Sequence, residues 1–173
     1  GEFLPLAWLL EPLGFRQVVP LPESFRAGTG PGSLVIPGAG LVGAQICYEA
    51  IFPAETVDAK RRPDWLVNVT NDGWFGRSTG PWQHVAQLRL RAIEQGLAIV
   101  RSANTGVSAV FDPYGRRLVF SPLEEIGVYD SALPRSLAAV VFARIGDFAL
   151  LLLVCGFSAL GWLVKRFRIF FTP

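Results

Sequence analysis

The chain has 173 residues, room for one domain with a sizeable core and one further element. Its formal net charge of +2, with no basic stripe interleaved with aromatics, excludes nucleic acid as the expected partner. Half of the residues (51%) are hydrophobic and the mean hydropathy is +0.38, too apolar for an ordinary soluble domain, so a membrane segment is expected.

Residues 1–10 (GEFLPLAWLL) are apolar apart from Glu2, and residues 11–40 are rich in Pro and Gly. They read as a long surface connection with one short strand at residues 33–36. There is no methionine and the chain opens inside what reads as continuing sequence, so it is taken as a fragment or processed product. Residues 41–46 form a short apolar run behind Pro37, Gly38 and Gly40, which favours a buried strand. Pro53 and the following AETVDAK suit the first turns of a helix, exposed at residues 55–59 and ended by Lys60, Arg61, Arg62 and Pro63.

Residues 64–69 (DWLVNV) are a second buried strand leading into the loop TNDGWFGRSTGPW. Gly80 and Pro81 then open a helix that Gly96 closes. Val85, Leu88 and Ala92 share one face of it and Leu90, Ile93 and Leu97 the next, which predicts burial around much of its circumference. Residues 97–101 and 107–111 read as strands, and Asp112-Pro113-Tyr114-Gly115 as a turn into a further strand at 117–120. A last strand is placed at 127–133. Strands alternating with helices and closed by a hairpin give an α/β domain with a mixed sheet.

Residues 148–164 hold no charged side chain, about 26 Å of helix against a bilayer core of about 30 Å. Trp162, Lys165, Arg166 and Arg168 flank its end as interfacial anchors, and the basic cluster puts that end on the cytoplasmic side. The α/β domain then lies outside the cytoplasm. Cys155 falls mid-span, with Gly156, Ser158 and Ala159, and cannot reach Cys47.

Cys47 itself sits where the first apolar run ends. A thiolate is a strong nucleophile, and a strand-to-helix turn offers backbone N–H groups to a developing oxyanion. A small buried cysteine is the other reading. His84, the single histidine, reads as a structural hydrogen-bonding residue and has no partners for a metal site. Tyr48 can be a packing aromatic, Glu49 a helix-start acid and Glu2 an exposed terminal acid. Gly73-Trp74-Phe75-Gly76 sets two large aromatics between glycines, as expected of a mobile lipid-facing loop.

Three stretches together, ICYEAIFP, NVTNDGWFG with GPWQH after it, and RAIEQGLAIVRSANTGVSAVFDPYG, resemble the carbon–nitrogen hydrolase (nitrilase) superfamily. Within it they are similar to the apolipoprotein N-acyltransferases of bacterial inner membranes. The resemblance implies a partial nitrilase-like α-β-β-α sandwich followed by one C-terminal transmembrane helix. Residues 1–135 would be the C-terminal part of the catalytic domain, 136–147 a linker or interfacial segment, 148–166 the membrane helix and 167–173 a cytoplasmic tail. It implies no cofactor and no metal. The implied reaction moves an acyl chain from a phospholipid onto a Cys thiolate and then onto the diacylglyceryl-cysteine of a lipoprotein, on the periplasmic side of the inner membrane.

By the same resemblance Cys47 is the nucleophile, with Glu2, Tyr48, Glu49, Trp74 and Phe75 as supporting or substrate-binding residues. The family's base and oxyanion residues, a Glu and a Lys, match nothing here: Lys60 and Lys165 are the two lysines and neither fits. The Lys is expected a few residues before GEFLPL and the Glu further upstream, so the chain alone is expected to be inactive. A membrane-tethered nitrilase-type amidase and a non-catalytic remnant are the competing expectations.

Overall fold

The computed structural model describes residues 7–14, 30–53, 56–58 and 60–171. It divides into two units, Gly1–Gly30 and Pro31–Pro173. In the first, a single helical turn, α1 (Ala7–Leu10), runs into a 3-10 turn, Glu11–Leu13. Glu2 lies outside the described residues.

The second unit is built on one six-stranded mixed sheet in sequential order. β1 (Ser33–Ile36) and β2 (Gly40–Ile46) form an antiparallel hairpin. β2, β3 (Trp65–Asn71) and β4 (Ala98–Asn104) run parallel, and β5 (Ala109–Phe111) and β6 (Arg117–Phe120) return antiparallel. Parallel neighbours need a crossover. Between β3 and β4 it is α2 (Gly80–Gln95), with Pro81 in its first turn and Gly96 left-handed at φ 61° just past its end. Only a residue without a Cβ adopts that φ freely, which explains the sharp stop.

Side chains alternate across the pleat, so register decides what α2 covers. Gly43, Leu66 and Ile99 form one rung toward the helix, and Gln45, Asn68 and Arg101 the next. Leu66, Ile99, Val85, Leu88 and Ala92 pack with Val107 and Phe111 as the core. The opposite face leaves Leu34, Ile46 and Val69 exposed.

Three expectations are corrected. Leu90 and Ile93 are exposed, because the inward stripe of α2 includes His84, Arg91 and Gln95, whose polar ends find buried partners. Arg91 donates to Ile51 O and pairs with Glu94 at 2.7 Å. No helix follows Pro53 among the described residues 56–58. Thr56 instead turns inward: its Oγ1 donates to Pro53 O and its carbonyl accepts from Gln45 Nε2, a local hydrogen-bond set that competes with helix. Residues 127–133 form no strand; Val128 stands exposed and Tyr129 Oη donates back to Glu125.

After β6 the chain passes through a short helix, α3 (Val141–Ile145), into α4 (Phe148–Phe171). At 24 residues α4 is about 36 Å long. Over Phe148–Arg166 it is long and apolar enough to cross a membrane, and none of that stretch is buried within the protein.

Candidate active site

β2 ends at Ile46, and Cys47 opens a 3-10 helix, Cys47–Ile51. The turn is made at Cys47 itself, whose φ of 52° lies in the left-handed region. For a residue with a Cβ that conformation costs roughly 1–2 kcal/mol. Glu49 closes the turn from the other side, its carboxylate accepting the Ile46 N–H at 2.7 Å. Cys47 is half-buried with a free thiol, and Tyr48 beside it is 51% exposed.

Beneath Cys47 lies a buried polar cluster. The Cys47 carbonyl accepts from Asn68 Nδ2 at 3.1 Å and from His84 Nε2 at 3.2 Å. A carbonyl only accepts, so Nε2–H is the donor in that bond. His84 Nδ1 lies 3.0 Å from Asp72 Oδ1 and 3.2 Å from Arg101 Nη2. Arg101 spans the floor: Nη1 donates to Asn68 Oδ1 at 2.8 Å, Nη2 to Asp72 Oδ2, and Nε to Val107 O at 3.0 Å. Asn68, Asp72, His84 and Arg101 are all buried. Burial by itself would raise the Asp72 carboxyl, but the His84 hydrogen bond and the Arg101 charge outweigh it and hold it below its ordinary range. Burial lowers Arg101, and Asp72 partly restores it. Gly106 makes room for the pair, since a Cβ there would meet Asp72 Oδ2 at 2.3 Å.

The segment after β3 is one turn of 3-10 helix, Asp72–Phe75, capped by Asn71 Oδ1 accepting from Gly73 N. Its two aromatics part company. Trp74 is 81% exposed, whereas Phe75 meets the His84 ring edge-on at 5.8 Å. The Tyr48 ring flanks His84 at 5.5 Å. Of the residues singled out from sequence, Cys47, Tyr48 and Phe75 thus gather around one cluster, Glu49 closes the Cys47 turn through Ile46 N, and Trp74 stands exposed. Asn68, Asp72 and Arg101 were missed. For Asn68 and Arg101 the signal was polarity inside apolar runs, DWLVNV and LAIVRS, which demands a partner once the strand is buried; Asp72, in the loop TNDGWFG, carried no such signal. His84, expected to form hydrogen bonds, is buried within bonding distance of Asp72 and the Cys47 carbonyl.

Cys47 is thus a half-exposed thiol on a tight turn at the carboxyl end of β2, braced from beneath by buried polar side chains. Residues 9–141 match the carbon-nitrogen hydrolase family, and the chain belongs to that family. The chain is 51% identical over 154 residues to the apolipoprotein N-acyltransferase of Bradyrhizobium diazoefficiens, covering 89% of this chain and 29% of that protein. It is 48% identical over 166 residues to the apolipoprotein N-acyltransferase of Rhodopseudomonas palustris, covering 96% and 31%. The chain therefore spans about three-tenths of the length of these curated relatives. A crystal structure of an amidase from Nesterenkonia sp. overlaps it in part, at 20% identity and TM-score 0.44 over 58% of this chain and 40% of that one.

Proposed function

We propose that the gene product containing this sequence is an N-acyltransferase that works through a thioester on Cys47. The thiolate attacks an ester carbonyl of a phospholipid, the ester C–O bond breaks, and a lysophospholipid leaves. The α-amino group of a lipoprotein diacylglyceryl-cysteine then attacks the thioester, and the thiol is released. One hard transfer becomes two easier ones. The observation that carries this reading is the left-handed Cys47 at the end of β2; the names of the two relatives and the apolar α4 support it. Tyr48 and Glu49 adjoin the nucleophile as supporting residues, Glu49 by holding the Ile46 N–H. Glu2 is retained as a supporting residue on resemblance alone.

The test supplies a phospholipid with a labelled acyl chain and a diacylglyceryl lipopeptide, or a small amide. Label should move to the lipopeptide and no ammonia should appear; ammonia release without acyl transfer would establish the amidase reading instead. The 173-residue chain by itself should not turn over these substrates. Lys60 sits in an exposed turn and Lys165 near the end of α4, so neither supplies a cation beside Cys47.

Trp74 is proposed to shelter the acyl chain outside the bilayer and keep water from the thioester. Its exposure separates it from Phe75 in a measurable way. Trp74→Ala should slow use of phospholipid donors while shifting stability by no more than about 0.5 kcal/mol, as exposed positions do. Phe75→Ala, which strips an edge-on contact from His84, should lower the melting temperature. Unchanged donor kinetics in Trp74→Ala would remove the sheltering role.

Membrane anchoring by α4 is part of the same proposal, with Lys165, Arg166 and Arg168 on the cytoplasmic side and the sheet on the periplasmic side. A cysteine placed at position 172 should resist a membrane-impermeant maleimide in intact spheroplasts. Ready labelling would reverse the orientation.

A further inference from the structure

We propose that Arg101 and His84 are positioning residues that fix the Cys47 peptide, so that the thiol is presented by a buried clamp rather than by the turn alone. The inference rests on the reading of Cys47 as the nucleophile. Two arms leave one guanidinium and converge on one atom. The first runs from Arg101 Nη1 to Asn68 Oδ1, which orients the amide so that Nδ2 donates to Cys47 O. The second runs from Arg101 Nη2 to Asp72 and from Asp72 to His84, whose Nε2 donates to the same oxygen. The rung Gln45, Asn68, Arg101 explains how a residue two strands away reaches the end of β2.

The magnitudes are consistent with a clamp. A left-handed Cys47 costs roughly 1–2 kcal/mol, and two partly buried hydrogen bonds to its carbonyl return about 0.5–1.5 kcal/mol each. In a trans peptide the following N–H points opposite to the carbonyl. Pinning Cys47 O into the domain therefore turns the Tyr48 N–H away from the buried cluster. Tyr48 and Phe75 pack on the His84 ring and keep it in place.

The test uses the gene product containing this sequence in detergent micelles with Cys155→Ser, and acylation is read on the Cys47 peptide by mass spectrometry. The probe is p-nitrophenyl butyrate, whose acyl group forms a thioester as nitrophenolate leaves. Maximal acylation rate, half-saturating ester concentration and melting temperature are read for the Cys155→Ser chain and for His84→Phe, His84→Gln and His84→Asn in the same background. Phe keeps an aromatic ring but has no donor, Gln places an amide N–H where Nε2 stood, and Asn is one methylene too short. His84→Phe and His84→Asn should lose about 100-fold in maximal rate at an unchanged half-saturating concentration, and His84→Gln should return to within about threefold. If His84→Phe fails to fold, the Gln and Asn pair decides. Equal maximal rates in all four folded chains would overturn the clamp while leaving the nucleophile standing. The absence of any adduct on Cys47 in the Cys155→Ser chain would overturn both.

Discussion

Replacing Cys47 by Ala is expected to abolish the acyl-enzyme altogether. A hydroxylamine-sensitive adduct, read by mass spectrometry on the gene product containing this sequence after incubation with phospholipid, should vanish. Transfer to a lipopeptide should fall on the order of a million-fold, the scale seen when a covalent nucleophile is removed. Cys155, the other cysteine of the chain, lies within α4 and offers no substitute. An adduct that persists in Cys47→Ala would remove the nucleophile assignment. Cys47→Gly supplies an internal control. It should be as inactive as Cys47→Ala yet no less stable, because glycine adopts a φ of 52° without strain and so offsets its greater chain entropy.

The second large effect belongs to the floor of the site. Arg101→Met leaves Asp72 buried with one partner removed, and breaking a buried ion pair in this way costs about 3–5 kcal/mol. For a chain of this size that is about 10 °C or more in melting temperature. Adding Asp72→Leu to Arg101→Met should recover part of the loss, since the stranded charge goes with it. A melting temperature unmoved by Arg101→Met would show that the pair carries little. The same pair gives a pH dependence of defined sign. The Asp72 carboxyl is held below its ordinary value in the folded chain, so its contribution is fully present above the unfolded value of about 3.9. That contribution disappears as pH falls through the depressed folded value. Acid should therefore destabilise the parent chain more steeply than the double variant, and identical acid profiles would contradict the assignment.

Much of this architecture was legible because its elements are punctuated. β1, β2, β3, β4 and β6 are apolar runs bounded by Gly, Pro or charged residues, and α2 carries Pro and Gly at its two ends, so period and boundary agree. The place of Cys47 at the end of β2 followed from the same logic. What stayed hidden was the identity of the inward groups. An apolar pattern cannot announce that His84, Arg91 and Gln95 outcompete Leu90 and Ile93 for the interior of α2, because that choice rests on partners supplied by other elements. Asn68 in particular matches a glycosylation sequon in the linear sequence, yet it is wholly buried and bonded to Arg101 and to the Cys47 carbonyl. The absence of helix at the described residues 56–58 has the same origin: the bond from Gln45 to Thr56 O depends on β2, not on local propensity.

The open side of the sheet, with Leu34, Ile46 and Val69 uncovered, carries a calorimetric consequence. Apolar surface that is already hydrated in the folded chain adds nothing to the heat capacity of unfolding, which scales with newly exposed apolar area. The same holds for the lipid-compatible surface of α4, which stays outside the packed interior throughout. The heat-capacity increment per residue should thus fall below the usual 12–15 cal/mol/K. The stability curve of this chain becomes a shallow dome, in which a given loss of stability shifts the melting point further than it would in a closed domain of equal length.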